Sequence, residues 1–317
     1  MNGEKDYETF VHRNPVAGGK DCTDAVAAKV ARAFSGQNAD FEIYTTKAPM
    51  DAADKVIREA ERCDELRVYA CGGDGTLNEC VCGAAGRENV AVTHFPMGTG
   101  NDFIKVFGPE RERFRDLEEL LNGQVRKLDV IDCNGRSSLN ICSVGIDARV
   151  GTDVHKYSKV PLMGGIGSYI ASLVVNFCKS TKDELRVFCD GKLYYGDMSL
   201  VCACNGSYYG GGFHPVPEAR PDDGKMEVLV VKGVSRLKIL QVVGAYAKGR
   251  YAEYPDIITP ISCTELRIES EKELVVNLDG EAVYGRTLQL QLRPGAVNFI
   301  VPANMAYFAE SKEEALV

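Results

Sequence analysis

The stretch ACGGDGTLNECVCG, residues 70–83, places two glycines, an aspartate, a third glycine and a threonine directly behind the apolar run Leu66-Arg67-Val68-Tyr69-Ala70. The run reads as a buried strand and the residues after Thr76 as the start of a helix, so the glycines occupy a strand-to-helix turn. A turn of this kind suits phosphate. Glycine lets the main chain approach closely, the first helical N–H groups donate to the oxygens, and the helix dipole favours negative charge.

Working outward, the same alternation fills the first part of the chain. Strand-like runs at Thr9–Arg13, Phe41–Thr45, Leu66–Ala70 and Val90–Phe95 are separated by helical periodicities at Thr23–Phe34, Met50–Arg62 and Gly75–Ala85. Alternation implies right-handed crossovers and a parallel sheet with helices on both faces, a doubly wound α/β domain over 1–128. Small residues follow each strand: Asn14-Pro15-Val16-Ala17-Gly18-Gly19, Thr45-Thr46, Gly72-Gly73-Asp74-Gly75-Thr76 and Pro96-Met97-Gly98-Thr99-Gly100-Asn101-Asp102. In an open parallel sheet these loops share the edge that binds ligands. Thr76 and Thr99 add hydroxyl donors. Asp74 repels phosphate, so its task is to hold Mg2+ or its waters, or to order the loop. A Walker A loop is excluded because Gly18-Gly19-Lys20 is followed by Asp21, and Gly98-Thr99-Gly100 lacks the third glycine of a dinucleotide fingerprint.

Beyond Val125 the texture changes to short strand-like runs broken by Gly, Asn-Gly and Asp-Gly turns: Arg126–Asp132, Ser138–Val144, Glu184–Cys189, Lys192–Cys204, Lys225–Lys232, Thr264–Ser270, Glu273–Leu278 and Thr287–Leu292. This predicts a mostly antiparallel β-sandwich domain over 129–304, interrupted by helices near Gly167–Phe177 and Ser235–Lys248, with the tail 305–317 packing back on the first domain. An active site in the interdomain cleft is the expectation.

Composition narrows the function. A net charge of -8 over 317 residues argues against nucleic-acid binding, which rests on cationic neutralisation of phosphates. The start MNGEKDYETF has neither a basic nor an apolar region, so no export signal is expected, and the longest apolar run, Ile170–Cys178, is too short to span a bilayer. Twelve cysteines scattered through apolar runs read as inert buried thiols of a reducing cytoplasm, and the C-x-C pairs Cys80/Cys82 and Cys202/Cys204 fit zinc poorly. His94 and His214 read as structural. Gly164–Gly167 and Tyr208–Phe213 are either entrances for an acyl chain or tight turns, and Ile166–Phe177 reads as core rather than bilayer contact.

In order, N-P-x-A-G (Asn14–Gly18), G-G-D-G-T-L-N-E (Gly72–Glu79), P-x-G-T-x-N-D-F (Pro96–Phe103), S-x-G-x-D (Ser143–Asp147), P-x-A-x-x-D-D-G (Pro217–Gly224) and D-G-E (Asp279–Glu281) resemble the diacylglycerol kinase catalytic domain family, of the soluble bacterial lipid kinase type. The resemblance covers nearly the whole chain. It implies transfer of the γ-phosphate of ATP to a lipid hydroxyl, most simply that of diacylglycerol to give phosphatidic acid, by a cytoplasmic enzyme peripheral at the membrane. Phosphatidylglycerol, a monoacylglycerol or a sphingoid base are the alternative acceptors, and a catalytically silent nucleotide-binding regulator is the alternative of another class. A homodimer through an exposed strand edge is expected by the same analogy.

Residue by residue, the resemblance implies that Asn14, Pro15, Val16, Ala17, Gly18, Thr46, Gly72, Gly73, Gly75, Thr76, Leu77, Asn78 and Thr99 line ATP, with Asp74 and Asn101 nearest the phosphates and Mg2+. Asp279 and Glu281 stand opposite, one of them the general base, with family practice pointing to Glu281. Asp129 helps to organise a Mg2+ and water network. Asp223 marks a structural Mg2+ site completed by main-chain carbonyls near Arg220 and Lys225, although Pro221 is an extra residue of that loop. Read without the resemblance, Asp279-Gly280-Glu281 is simply a turn between strands, and the two readings are compatible.

Overall fold

The computed structural model describes residues 7–13, 30, 40–146, 148–149 and 181–309. The chain divides into two compact units, Met1–Leu128 with Gly295–Val317, and Asp129–Pro294.

In the first unit, β1 (Tyr7–Arg13), β2 (Asp40–Thr45), β3 (Glu65–Gly72) and β4 (Val90–Pro96) lie parallel in the order β4-β3-β1-β2. All seven residues of β4 are buried, the near-continuous apolar run of a strand covered on both faces. Its other neighbour comes from far along the chain, where Asn298 and Phe299 of β13 (Glu281–Val301) pair in parallel with Ala91 and Val92. Helices α1 (Asp51–Ala60) and α2 (Asp74–Ala84) pack on each other through Gly83, where a Cβ would lie 2.7 Å from the Ala53 carbonyl oxygen and 2.8 Å from Val56 Cβ. The Asp51 carboxylate starts α1 by accepting the Lys47 N–H at 2.8 Å, and that bond is the main reason its pKa lies below the ordinary range.

After β4 the chain turns through a 3-10 segment, Phe103–Arg115, and a short helix α3 (Leu117–Leu121), neither of which the sequence pattern announces. Asp116 caps α3 by accepting from the Glu118 and Glu119 N–H groups. The 3-10 segment is held by its rings: Phe107 stacks on Phe114 at 5.3 Å and Phe103 meets Phe299 edge-on at 5.5 Å.

The second unit contains β5 (Gln124–Cys133) from Asp129 onward, β6 (Arg136–Ser138), β7 (Ile141–Gly145), β8 (Asp183–Cys189), β9 (Lys192–Cys204), β10 (Met226–Lys232), β11 (Ile258–Cys263), β12 (Glu265–Leu278) and the first part of β13. Its sheet runs β11-β10-β9-β7-β12-β13, antiparallel throughout, with β8 pairing to β9 and β12. Alternate residues point to opposite faces of a strand, and here both faces are buried. Val201, Ala203, Val228 and Val230 enter one core, while Leu200, Cys202, Leu229 and Val231 enter a second that also takes Val242 and Tyr246 from α4 (Arg236–Tyr246).

Three strand boundaries differ from the pattern read in the sequence. Ser138–Val144 is broken at Leu139 and Asn140. Thr264–Ser270 and Glu273–Leu278 are one strand, β12, with a shift in register between Glu269 and Leu274. The strand β11 was not anticipated, because Pro260 sits within it; proline is tolerated at a sheet edge, and β10 is the only strand that β11 joins in the order given above. The expected helices Thr23–Phe34 and Gly167–Phe177 lie outside the described residues apart from Val30, which is helical. The ten cysteines among the described residues are free thiols, eight of them buried.

Candidate active site

Gly72 closes β3, and Gly73, extended at φ -96°, precedes α2 with no side-chain cap. The first-turn N–H groups of an α-helix have no intrahelical acceptor, so α2 presents donors at this edge. The fourth loop folds onto the third. Met97 and Gly98 N–H donate to the Gly72 carbonyl at 2.8 and 3.1 Å, and a Cβ at Gly98 would stand 2.5 Å from Gly73 Cα. The main chains approach this closely only because Gly98 carries no side chain, since a Cβ on Gly73 would make an ordinary contact with Gly98 Cα at 3.4 Å. Asn101, at φ +47°, pins the turn from within, its amide donating to the Gly98 carbonyl at 2.7 Å and accepting the Gly98 N–H at 3.1 Å.

Asp74 joins the same edge. Its Oδ1 accepts the Asp102 N–H at 2.6 Å and the Phe103 N–H at 3.2 Å, so the carboxylate orders the fourth loop. Of the other residues expected to line a nucleotide, Thr46 is partly exposed, Thr99 is exposed, and Gly75 is partly exposed, whereas Thr76, Leu77 and Asn78 are buried, which leaves Leu77 only its main chain to offer. Asn14, Pro15, Val16, Ala17 and Gly18 lie outside the described residues. His94 buttresses the edge from below: it is fully buried, its Nε2–H donates to the Gly72 carbonyl at 3.0 Å, and burial drives its pKa down to about 4.

In the second unit, Asp279 and Gly280 form a two-residue hairpin between β12 and β13, with φ of +50° and +100° and Leu278 paired to Glu281. Positive φ at both positions is the type I′ geometry that Asp-Gly favours. The Asp279 carboxylate is heavily engaged. Oδ1 accepts from the Ser138 hydroxyl at 2.8 Å and from the Ile141 and Asn140 N–H groups at 2.7 and 3.1 Å, and Oδ2 accepts the Leu139 N–H at 2.7 Å. These bonds explain why Ser138–Val144 is not one strand. Glu281 is exposed, and its carboxylate has no hydrogen-bond partner among the described residues.

Asp129 and the loop before β10 lie together. The Asp129 N–H donates to the Pro221 carbonyl at 2.7 Å, and Asp129 Oδ2 accepts the Gly224 N–H at 2.7 Å. Asp223 accepts the Lys225 N–H at 3.1 Å, yet its pKa is raised, first by burial and then by the neighbouring Asp129 and Glu227 charges. The Arg220 guanidinium pairs with Asp222 at 3.2 Å. Among the described residues no three His, Cys, Asp or Glu side chains converge on one point.

Asn205 escaped the sequence reading. It is fully buried, and its amide donates to the Asp129 carbonyl at 2.9 Å and the Leu139 carbonyl at 2.7 Å, tying the Asp129 strand to the turn that Asp279 holds. The only signal was Asn205-Gly206 after a strand, which reads as an ordinary turn. Ser143 is buried on β7, and Asp147 lies outside the described residues. His214 stacks on Tyr208 at 3.8 Å, with its pKa lowered by burial.

Residues 8–133 match the diacylglycerol kinase catalytic domain family, and residues 140–301 match the YegS C-terminal NAD kinase beta sandwich-like domain. A YegS-like lipid kinase of Chromohalobacter salexigens is 30% identical over 80% of this chain and 81% of its own length. A diacylglycerol kinase of Bacillus subtilis is 26% identical over 87% of this chain and 89% of its own length. The crystal structure of a diacylglycerol kinase from Bacillus anthracis superposes with a TM-score of 0.69, covering 96% of this chain and all of that one; at 24% identity this speaks to fold. The chain belongs to the diacylglycerol kinase catalytic domain family, in its bacterial YegS-like branch. It is therefore a kinase of the lipid kinase class, and a kinase of this class uses ATP. No helix among the described residues is long and apolar enough to cross a membrane.

Proposed function

We propose that this enzyme phosphorylates diacylglycerol at a membrane surface, with Glu281 as the general base and Asp279 as the residue that positions it. The contrast within one hairpin carries the reading. The Ser138 hydroxyl and the Leu139, Asn140 and Ile141 N–H groups donate to Asp279, whereas Glu281, two residues on, offers a carboxylate with no hydrogen-bond partner among the described residues. A carboxylate beside an alcohol accelerates phosphoryl transfer by taking the proton as the oxygen–phosphorus bond forms.

The nucleotide phosphates bind at the edge formed by Gly72–Thr76 and Pro96–Asn101, with Thr46 after the parallel strand β2 at that edge, and the family resemblance adds Asn14–Gly18 to the nucleotide's contacts. Main-chain N–H groups of α2 receive the oxygens, and Thr99 adds a hydroxyl. An anion at this edge sits near the Asp74 charge, an arrangement that calls for a cation between them. The donor set of the chain suits Mg2+, a hard ion that takes one or two carboxylates with carbonyls and water. Asp74 would hold it near the phosphates. A second ion would be held by Asp223 and the Arg220 and Lys225 carbonyls with Asp129 behind. Mg2+ supplies charge neutralisation on the transferring phosphoryl group.

The test is transfer from radiolabelled ATP, with Mg2+, to a panel of lipids in mixed micelles, beside Asp74→Asn and Glu281→Gln. Label entering diacylglycerol and lost in both variants is the expected result. Label in another lipid class reassigns the acceptor, and ATP binding with no transfer to any lipid sinks the catalytic reading.

A further inference from the structure

Two of the free thiols are placed for chemistry that phosphoryl transfer does not use. Cys189 closes β8 and Cys263 closes β11, far apart in sequence yet members of one buried core. The residue after Cys189 is bound to the two residues after Cys263: the Asp190 N–H donates to the Glu265 carbonyl at 3.0 Å, and the Asp190 carboxylate accepts the Thr264 and Glu265 N–H groups at 3.1 and 2.9 Å. The sheet fixes the same approach, with Cys189 paired to Leu266 in β12. The thiols therefore meet, and the Cys263 S–H donates to the Cys189 sulfur. Sulfurs in contact between two anchored strand ends can close to a disulfide with little main-chain movement.

Two other thiol pairs each lack one of these conditions. Cys202 and Cys204 have sulfurs 3.6 Å apart, but two residues along one strand put their Cα atoms about 6.8 Å apart, the far limit of a disulfide. Cys133 and Cys142 share a hydrogen bond, but Cys142 lies inside the sheet on β7, between β9 and β12. Cys189 and Cys263 are each only 3% exposed, yet Asp190 to Lys192 and Thr264 to Glu265 beyond them are exposed, so fraying of one turn admits a small reagent. The two sulfurs also differ in charge. The bond from Cys263, and after it the Lys192 cation that faces Cys189 across its hairpin, pulls the Cys189 pKa down, while donating that bond, then burial and the Asp190 and Glu227 charges push Cys263 up. Cys189 is the thiolate of the pair, and the thiolate is the nucleophile.

We propose that Cys189 and Cys263 form a reversible redox site that takes a peroxide as its oxidant and yields a disulfide stapling the end of β8 to the corner between β11 and β12. In the first step the Cys189 thiolate attacks one peroxide oxygen, the O–O bond breaks, hydroxide leaves, and Cys189 becomes a sulfenic acid, oxidised by the two electrons that reduce the peroxide. In the second the Cys263 sulfur attacks the Cys189 sulfur, the S–O bond breaks, and the departing hydroxide leaves as water with the Cys263 proton. Neither step involves ATP or lipid, so the site stands or falls apart from the kinase reading.

The full-length reduced protein is treated with stoichiometric hydrogen peroxide, alkylated with iodoacetamide, digested with trypsin and read by mass spectrometry. Trypsin releases Val187–Lys192 and Tyr251–Arg267, each with one cysteine, so a linked pair is assigned without ambiguity. The expected product is these two peptides joined with the loss of two hydrogens, and absent after dithiothreitol. Both peptides alkylated as free thiols after peroxide, or Cys189 carried to sulfinic acid without linkage, overturns the site. In Cys263→Ser the first step should proceed alone, leaving on Cys189 a sulfenic acid that dimedone labels; label on Cys263 in Cys189→Ser, with none on Cys189 in Cys263→Ser, overturns the assigned roles. If Cys263→Ser does not fold, Cys263→Ala answers instead, and the wild-type linkage is readable without either. The bond closes a long loop of the unfolded chain, so the oxidised wild type should melt about 5–10 °C above the reduced protein. A melting transition unmoved or lowered by full linkage overturns the staple.

Discussion

The glycine edge of the first unit and the Asp279 hairpin of the second solve the same folding problem and expose different chemistry. In each, an aspartate collects main-chain N–H groups from a loop distant in sequence: Asp74 from Asp102 and Phe103, Asp279 from Leu139, Asn140 and Ile141. What is left for a ligand differs. Around Asp74 it is main chain, since Gly73 and Gly98 touch and no side chain caps α2. Beside Asp279 it is a side chain, the exposed carboxylate of Glu281. Main chain suits binding a phosphate whose charge hardly changes in character, and a carboxylate suits moving a proton.

The sharpest way to break this comparison is to exchange acceptor capacity within the hairpin. Glu281→Gln should lower kcat by about 10²–10⁴-fold, the usual worth of a general base, with the unfolding free energy unchanged. Asp279→Asn should do the opposite in proportion. The amide turns an N–H toward main-chain donors that Asp279 satisfied, which should cost about 3 kcal/mol of stability with a smaller loss of kcat in the protein that remains folded. Steady-state kinetics beside urea melts separates them, and equal losses of kcat at equal stability would merge the two roles. Next in size is Gly98→Ala. Its Cβ would meet Gly73 Cα at 2.5 Å, main chain against main chain, so the edge must open. Overpacking of this kind costs about 1–3 kcal/mol, expected as a weakening of ATP by tenfold or more in calorimetric titration, with the lipid KM unmoved. Unchanged ATP affinity would detach the glycine contact from nucleotide binding.

The comparison also marks how far the sequence reads. β3 and β4 were legible within a residue or two because buried strands are continuous apolar runs, and the glycine edge was legible because its purpose is local: a strand, a turn and a helix start in consecutive residues. The hairpin was legible as Asp-Gly. Its function as an anchor was not, because the groups that Asp279 holds lie well over a hundred residues earlier. Ser138–Val144 was read as one strand for that reason. Asn205 was hidden in the same way, its two carbonyl partners being distant in sequence and neighbours only in the fold. The aromatic residues of Phe103–Arg115 stand at helical spacing, but Gly108, at φ +58°, and Pro109 interrupt the segment and hid it, and Pro260 concealed an edge strand by the rule that excludes proline from sheet interiors.

The smallest expected effect concerns what lies under the glycine edge. His94 donates from Nε2 to the Gly72 carbonyl, and its folded pKa of about 4 lies below the ordinary value near 6.5 because a charged imidazole is disfavoured in a fully buried place. Between these values the unfolded chain binds the proton and the folded chain does not, so stability rises with pH across that window. The contribution is complete above about pH 6.5 and is lost progressively as pH falls toward 4, amounting to about 1 kcal/mol between pH 7 and 5.5. Urea melts at those two pH values should show this difference, and His94→Gln, which keeps a donor for the Gly72 carbonyl but cannot titrate, should remove its share of the slope whatever it does to the absolute stability. A slope unchanged by His94→Gln would mean that the buried ring titrates as it does in the unfolded chain, and that the glycine edge is open to water from below.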